Sequence, residues 1–315
     1  MSKPRKTLIG LAVVLFAVGL FASTFLPAPL PEPPALTTAE PSANPPAEMA
    51  IYQLPTGVTH RNAAFAYRGG SPFDKREFSM TALLVRHPKG DLLIDTGFGR
   101  DIAAHFQKMP WAFRAITSYE RSRSAGEQLD AAGYDRSRLR GIILTHTHWD
   151  HVSGIPEFPN TPVWVTAEER RFIDEGGDLT AVIRAFPKVT YHEYPFDGGP
   201  YLGFEKSQDV YGDGSVVIVP APGHTPGSVI VFLTLPSKKR YAMVGDLCWQ
   251  REGILEREER PWLQRTFGDQ NPTLVRDGLL RMAAIMKRFP EITLVPAHES
   301  RGYAQIPVLP ASLTR

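Results

Sequence analysis

Seven consecutive residues near the middle of this 315-residue chain limit its folding more than anything else in it. Thr145-His146-Thr147-His148-Trp149-Asp150-His151 carries three of the nine histidines and an aspartate, directly after the apolar run Ile142-Ile143-Leu144. A strand that runs into a turn aims alternate side chains at one point, the geometry that chelation needs. Neutral imidazoles with a carboxylate suit Zn²⁺ and, less exclusively, Fe or Mn. Cys248 is the only cysteine, so the chain has neither an intramolecular disulfide nor an all-cysteine zinc site. Any metal must be held by histidine and carboxylate.

Around this run the chain alternates short β-rich stretches with helical ones. Strands are expected at 80–86, 91–95, 140–144, 163–166, 216–220, 229–234, 241–245 and 293–296, and helices at 122–132, 167–174 and 273–288. An echo runs through the pattern. A strand, a tight turn and a second strand ending in aspartate occur at Leu83 to Asp95 and again at Val229 to Asp246. Each copy leads, after a helix, to an apolar strand ending in histidine, His146 and His298, with separations of 51 and 52 residues. Two similar α/β halves facing each other would bring these strand ends to one edge.

The H-x-H-x-D-H run resembles the signature of metallo-β-lactamase-fold hydrolases, and further segments of that family's pattern follow in order. Asp95-Thr96-Gly97 resembles its aspartate-bearing turn, which supports the metal loop without ligating. Pro222-Gly223-His224-Thr225-Pro226-Gly227-Ser228, Gly245-Asp246 and Pro296-Ala297-His298 resemble its later metal segments. The resemblance covers about Ser79 to His298 and implies an α/β fold, the αβ/βα four-layer sandwich with two similar halves. It also implies two zinc ions, with Fe or Mn as alternatives: His146, His148 and His224 on one, Asp150, His151 and His298 on the other, Asp246 shared. The expected chemistry is attack by a metal-bridging hydroxide on an ester-type bond, a lactone or acyl ester, with Asp150 as the catalytic proton relay.

Alternatives remain: a thioester hydrolase like glyoxalase II, a β-lactamase, or, from a different class, a mononuclear iron persulfide dioxygenase. β-Lactam hydrolases of the family commonly carry a cysteine where this chain has Asp246. Similar acyl-homoserine lactonases carry a tyrosine where it has Trp249. Substrate contacts are expected from Trp249 itself and from two aromatic inserts, 98–119 with Trp111 and 249–272 with Trp262; the plainer reading is that these aromatics pack an insert core of their own. Cys248 reads as an inert buried thiol, and His60, His87, His105 and His192 as ordinary histidines outside every motif.

At the N-terminus Lys3, Arg5 and Lys6 precede a 20-residue apolar run, Thr7–Leu26. That reads as a cleaved signal peptide or a membrane anchor over residues 1–26, placing the rest in the periplasm or otherwise outside the cytoplasm. Residues 27–48 hold eight prolines and read as an extended, unpacked linker, with the hydrolase domain at 49–315. A formal net charge of +2 marks no nucleic-acid binder, leaving a small-molecule substrate as the expected partner, and a membrane if the leader is retained. Oligomeric state is not legible.

Overall fold

A computed structural model describes residues 3–312, with the side chains of residues 3–8, including Lys3, Arg5 and Lys6, outside the described set. Among the described residues twelve strands form two sheets: β1 (Ala50–Asn62), β2 (Lys75–Arg86), β3 (Asp91–Ile94), β4 (Tyr119–Arg121), β5 (Leu139–Ile143), β6 (Val163–Val165), β7 (Tyr191–Glu193), β8 (Gln208–Asp209), β9 (Val216–Pro220), β10 (Val229–Thr234), β11 (Arg240–Gly245) and β12 (Ile292–Pro296). The first sheet has the order β4-β1-β2-β3-β5-β6-β7 and the second β12-β11-β10-β9-β8.

Both sheets are covered on both faces, which is why their central strands read as unbroken apolar runs. The alternation of period two assigns each residue to a face. Leu83, Val85, Leu92, Ile94 and Ile143 point between the sheets and meet Val229, Val231, Met243 and Val295 of the second. Their neighbours Leu84, Leu93 and Ile142 point outward onto Leu129, Val152 and Ile173 of the helices Ala125–Ala131, Trp149–Val152 and Ala167–Glu175. On the far side Ile230, Phe232, Ala242 and Val244 meet Val275, Leu279, Met282 and Ile285 of the helix Pro272–Arg288. The layers are thus helix, sheet, sheet, helix, the four-layer αβ/βα sandwich.

The echo is real in three dimensions. β2 and β3 pair antiparallel and β3 then runs parallel to β5, just as β10 and β11 pair antiparallel and β11 runs parallel to β12. The backbone turns left-handed at Asp95 in one copy and at Gly245, one residue before Asp246, in the other, φ 53° at both. β1 escapes the expected strand list because Pro55 and Gly57 look like breakers. They sit instead at a register shift within one long strand paired to β2.

The helix Lys3–Ser23 stops before Leu26, and among the described residues no helix is long and apolar enough to cross a membrane. Ser23 and Thr24 turn their hydroxyls back onto the carbonyls of Leu20 and Phe21, both at 2.7 Å, and Pro27 follows. Residues 27–48 are extended, as their prolines require, yet packed rather than free. Leu30 is buried and its N–H donates to Arg257 O at 2.8 Å, Ala28 N donates to the Glu258 carboxylate, Glu40 pairs with Arg240, and Asn44 N donates to Asp213 O. The segment is a strap along the domain, because its few apolar and acidic side chains find partners there.

Candidate metal centre

All seven expected ligands converge at the sheet edges. β5 leads into Thr145 and His146, and the short helix Trp149–Val152 carries Asp150 and His151. His224 lies in the turn between β9 and β10, Asp246 directly after β11, and His298 two residues after β12. Ligand atoms of His146, His148 and His224 lie within 4.8 Å of one another, as do those of His146, His151 and Asp246, and those of Asp150, His151 and His298. The Asp246 carboxylate is the hub: Nε2 of His298, His151, His224 and His146 lie 3.1, 3.3, 3.4 and 3.9 Å from its oxygens.

Each histidine except His148 has its other ring nitrogen, Nδ1, held from outside. Nδ1 of His151 meets Asp95 Oδ2 at 2.8 Å, that of His224 meets Asp269 Oδ1 at 2.9 Å, that of His298 meets Ser79 O at 3.1 Å, and that of His146 lies 3.3 Å from Thr145 Oγ1. Nε2 of His146, His148, His151 and His224 and Oδ1 of Asp246 are buried without a hydrogen-bond partner. Buried polar atoms are seldom left so, and these five point at a common space. That donor set, imidazole nitrogens around a shared carboxylate, fits a pair of divalent cations.

The electrostatics divide the histidines, since at His224 and His298 as at His151 neighbouring carboxylates outweigh burial and raise the pKa. Burial, reinforced by neighbouring His151, pushes His146 well below the usual histidine range, and burial with His224 does the same to His148. Both are therefore neutral, as a ligand must be. Burial would lower His151 too, but the Asp95 and Asp246 carboxylates outweigh it and hold its pKa well above normal. Asp246 stays ionised despite burial because His298, His151 and His146 surround it.

Trp149 anchors the motif loop from behind, packed against Phe98, Phe106, Phe113 and Tyr119 at centroid separations of 5.3 to 6.5 Å. The insert's Phe98, Phe106, Phe113 and Tyr119 thus pack as core, while Trp111 is left exposed. Trp249 has a different place from a substrate wall alone. Its indole N–H donates to Asp246 Oδ2 at 2.9 Å, and its ring stacks on Phe65 at 5.2 Å and an interplanar angle of 12°. Trp262 is half exposed on the helix Trp262–Gly268, whose end reaches the site: a Cβ on Gly268 would lie 3.9 Å from His224 Cε1. Cys248 is buried in the core of the second half, and burial pushes its thiol up.

The four histidines outside the motifs stay outside the site. His60 pairs with Glu120, His87 with Asp213, and His105 with Ser153, while His192 lies beside Trp164. Sequence reasoning passed over Glu169, Arg260, Asp269 and Phe65. Glu169, buried, accepts from Thr147 N (2.8 Å), Thr147 Oγ1 (2.6 Å), Thr225 Oγ1 (2.6 Å) and Gly227 N (3.0 Å), tying the 145–151 loop to the 222–228 loop.

Comparison with known proteins agrees with this geometry. Residues 77–298 match the metallo-beta-lactamase superfamily model. The chain belongs to the metallo-β-lactamase superfamily, as a metallo-hydrolase. It is 31% identical over 237 residues to a probable metallo-hydrolase of Mycobacterium tuberculosis, covering 70% of this chain and 74% of that one. It is 25% identical over 214 residues to the N-acyl homoserine lactonase AttM of Agrobacterium fabrum, covering 64% and 77%. Among solved structures, an N-acyl homoserine lactone hydrolase with N-hexanoyl-L-homoserine at its metal centre superposes with a TM-score of 0.64, at 18% identity over 85% of this chain and 98% of that one. A dizinc quorum-quenching lactonase superposes with a TM-score of 0.53, at 18% identity over 82% and 90%.

Proposed function

We propose that this metallo-hydrolase cleaves a lactone or a related acyl ester, using two zinc ions. The observation that carries the reading is the Asp246 carboxylate, ringed by four histidine Nε2 atoms at 3.1 to 3.9 Å where many β-lactam hydrolases of the family have a cysteine. The lactonases among its relatives support the same substrate class. His146, His148 and His224 would hold one ion and Asp150, His151 and His298 the other, with Asp246 between them. Bound there, the cations supply Lewis acidity and make water acidic enough to react near neutral pH.

The chain's own groups do the rest. Asp150 Oδ2 lies 3.5 Å from His298 Nε2, placed to take a proton from water and return it to the departing oxygen. Trp249 occupies one lone pair of Asp246 Oδ2 and so sets which way that carboxylate faces. The aromatic group of Phe65, Phe78 and Trp249 beside it keeps bulk water off and offers an apolar surface to an acyl chain. Trp111 and Trp262, both exposed, would extend that surface outward. We also place the domain outside the cytoplasm, a reading supported by Lys3, Arg5, Lys6 and the apolar run after them.

The test is turnover by the purified protein of a panel of lactones, aryl esters, thioesters, phosphodiesters and β-lactams, before and after chelation and zinc repletion. The expected outcome is zinc-dependent hydrolysis fastest on lactones or acyl esters. Faster turnover of a β-lactam or a thioester would overturn the substrate class.

A further inference from the structure

The stretch 249–272, which follows the shared aspartate, delivers two charged side chains into the interior. Arg260 and Asp269 are both buried, their carboxylate and guanidinium 2.5 Å apart at Oδ1 and Nη2. Arg260 also donates to the main-chain oxygen of Asp246 through Nη1 and Nη2, both at 2.9 Å, and to Leu247 O at 3.1 Å. Its guanidinium lies over the Trp249 ring, 4.7 Å from the centroid. Asp269 Oδ1 in turn meets His224 Nδ1 at 2.9 Å. Arg260 Nη2 is also 3.3 Å from that nitrogen, but an ionised carboxylate has no proton to give, so the shorter contact makes Nδ1 the donor. In the neutral ring that ligation requires, Nε2 is then the unprotonated nitrogen, and it faces the site without a hydrogen-bond partner.

A buried arginine and aspartate cost several kcal/mol of desolvation each, and a pair of apolar residues would often pack as well. This pair instead reaches two of the seven ligands from one point. We propose that Arg260 and Asp269 are positioning residues of the metal centre: Asp269 holds His224 with Nε2 turned inward, and Arg260 holds both Asp269 and the backbone that carries Asp246. The stretch 249–272 is thereby a clamp on the second half's ligands, beyond any part it has in meeting substrate. The inference rests on the proposed metal-dependent reading of the site.

The experiment is zinc affinity of the full chain, measured by competition with a chromophoric chelator. Wild type should bind two zinc ions. Asp269→Asn should bind one of them about ten- to a hundredfold more weakly, the usual effect of losing the carboxylate behind a ligating histidine. Arg260→Gln should weaken the same ion, and the double variant should fall short of the product of the two losses because the Arg260–Asp269 contact is lost in either single variant. In a His224→Ala background, Asp269→Asn should weaken zinc no further. Unchanged affinities in Asp269→Asn, with only a lower melting temperature, would make the pair a packing feature and overturn the proposal while leaving the hydrolase reading intact. A wild type that binds no zinc, manganese or iron would sink the hydrolase reading itself. Should the variants fail to fold, nitrogen-15 shifts of His224 in zinc-loaded wild type decide: protonated Nδ1 with ligated Nε2 is expected, and ligation through Nδ1 overturns the proposal.

Discussion

At the level of single residues, the converging histidines depend on partners behind them, Asp95 for His151, Asp269 for His224 and the Ser79 carbonyl for His298. His146 to His151 announce themselves by density, and His224, Asp246 and His298 by short motifs in the expected order. Asp269 offers no such signal, since its partner His224 is 45 residues away and nothing local marks it. Glu169 is hidden in a different way. Thr166-Ala167-Glu168-Glu169 reads as an ordinary helix start, and Thr166 does cap the helix by accepting from Glu169 N at 3.1 Å. The glutamate side chain, however, turns to Thr147, Thr225 and Gly227. Replacing it with alanine leaves Thr147 N, Thr147 Oγ1 and Gly227 N without this acceptor, while Thr225 Oγ1 keeps Ser228 Oγ at 2.7 Å, so Glu169→Ala should cost upwards of about 3 kcal/mol in denaturant unfolding. Glu169→Gln, which keeps part of the set, should cost less. At the ligands, His146→Ala or Asp246→Ala should lower kcat/KM by at least about a hundredfold and release metal, since even indirect supports are worth that much. His192→Ala should leave kcat/KM and stability within error, stability shifting by under about 0.5 kcal/mol. Equal damage from His192→Ala in the same assays would show that the ligand set has been misassigned.

Elements tell a similar story of local signals and distant context. Central strands, buried on both faces, betrayed themselves as apolar runs. β1 did not, because Pro55 and Gly57 conceal it; β4 and β7, as short as β6, are polar and largely exposed, and β8 has only two residues. The turn after β3 is tightly built. Asp95 and Gly97 both take positive φ, 53° and 59°, and a Cβ on Gly97 would fall 2.2 Å from Thr56 Oγ1. That hydroxyl is already engaged, donating to Met80 O and accepting from Phe98 N, each at 2.8 Å. Gly97→Ala should therefore lose both the unstrained backbone and this junction, at about 2–4 kcal/mol by thermal unfolding. A loss below 0.5 kcal/mol would mean that the turn gives way more easily than its geometry implies. Trp262, on an element whose end touches the site, should act on substrate instead. Trp262→Ala is expected to raise KM for a long-chain acyl substrate more than for a short one, each buried CH₂ being worth about 0.8 kcal/mol, with metal content unchanged. An equal rise for both would assign the residue to packing alone.

For the whole molecule, the metal centre straddles the two halves. His146, His148, Asp150 and His151 come from the half built on the first sheet, and His224, Asp246 and His298 from the half built on the second. Ions that bind only the folded chain stabilise it by mass action, about 4 kcal/mol at a thousandfold excess over Kd. Chelation should accordingly lower the melting temperature by several degrees, and added zinc should restore it. An identical melting curve with and without chelator would argue against ions bridging the halves. Export is testable apart from catalysis. A periplasm-specific reporter fused after residue 48 should be active, whereas activity only from a cytoplasm-specific reporter would contradict the proposed location.

The strap of residues 27–48 gives the molecule a mechanical character. It is fastened at a series of separate points: Ala28 on Glu258, Leu30 on Arg257, Glu32 on Arg257 and Lys287, Glu40 on Arg240, and Asn44 on Asp213. A load applied at the N-terminus therefore meets these fastenings one after another, never together. Each is a hydrogen bond or a surface ion pair of about 1 kcal/mol, so the strap should peel at low force like a zip. The sheets would take up tension only afterwards, where β1 lies paired along nearly the whole of β2 and must be sheared or unzipped as one unit. Stretching a single molecule from its N-terminus should thus show a soft, gradual extension ahead of one abrupt rupture.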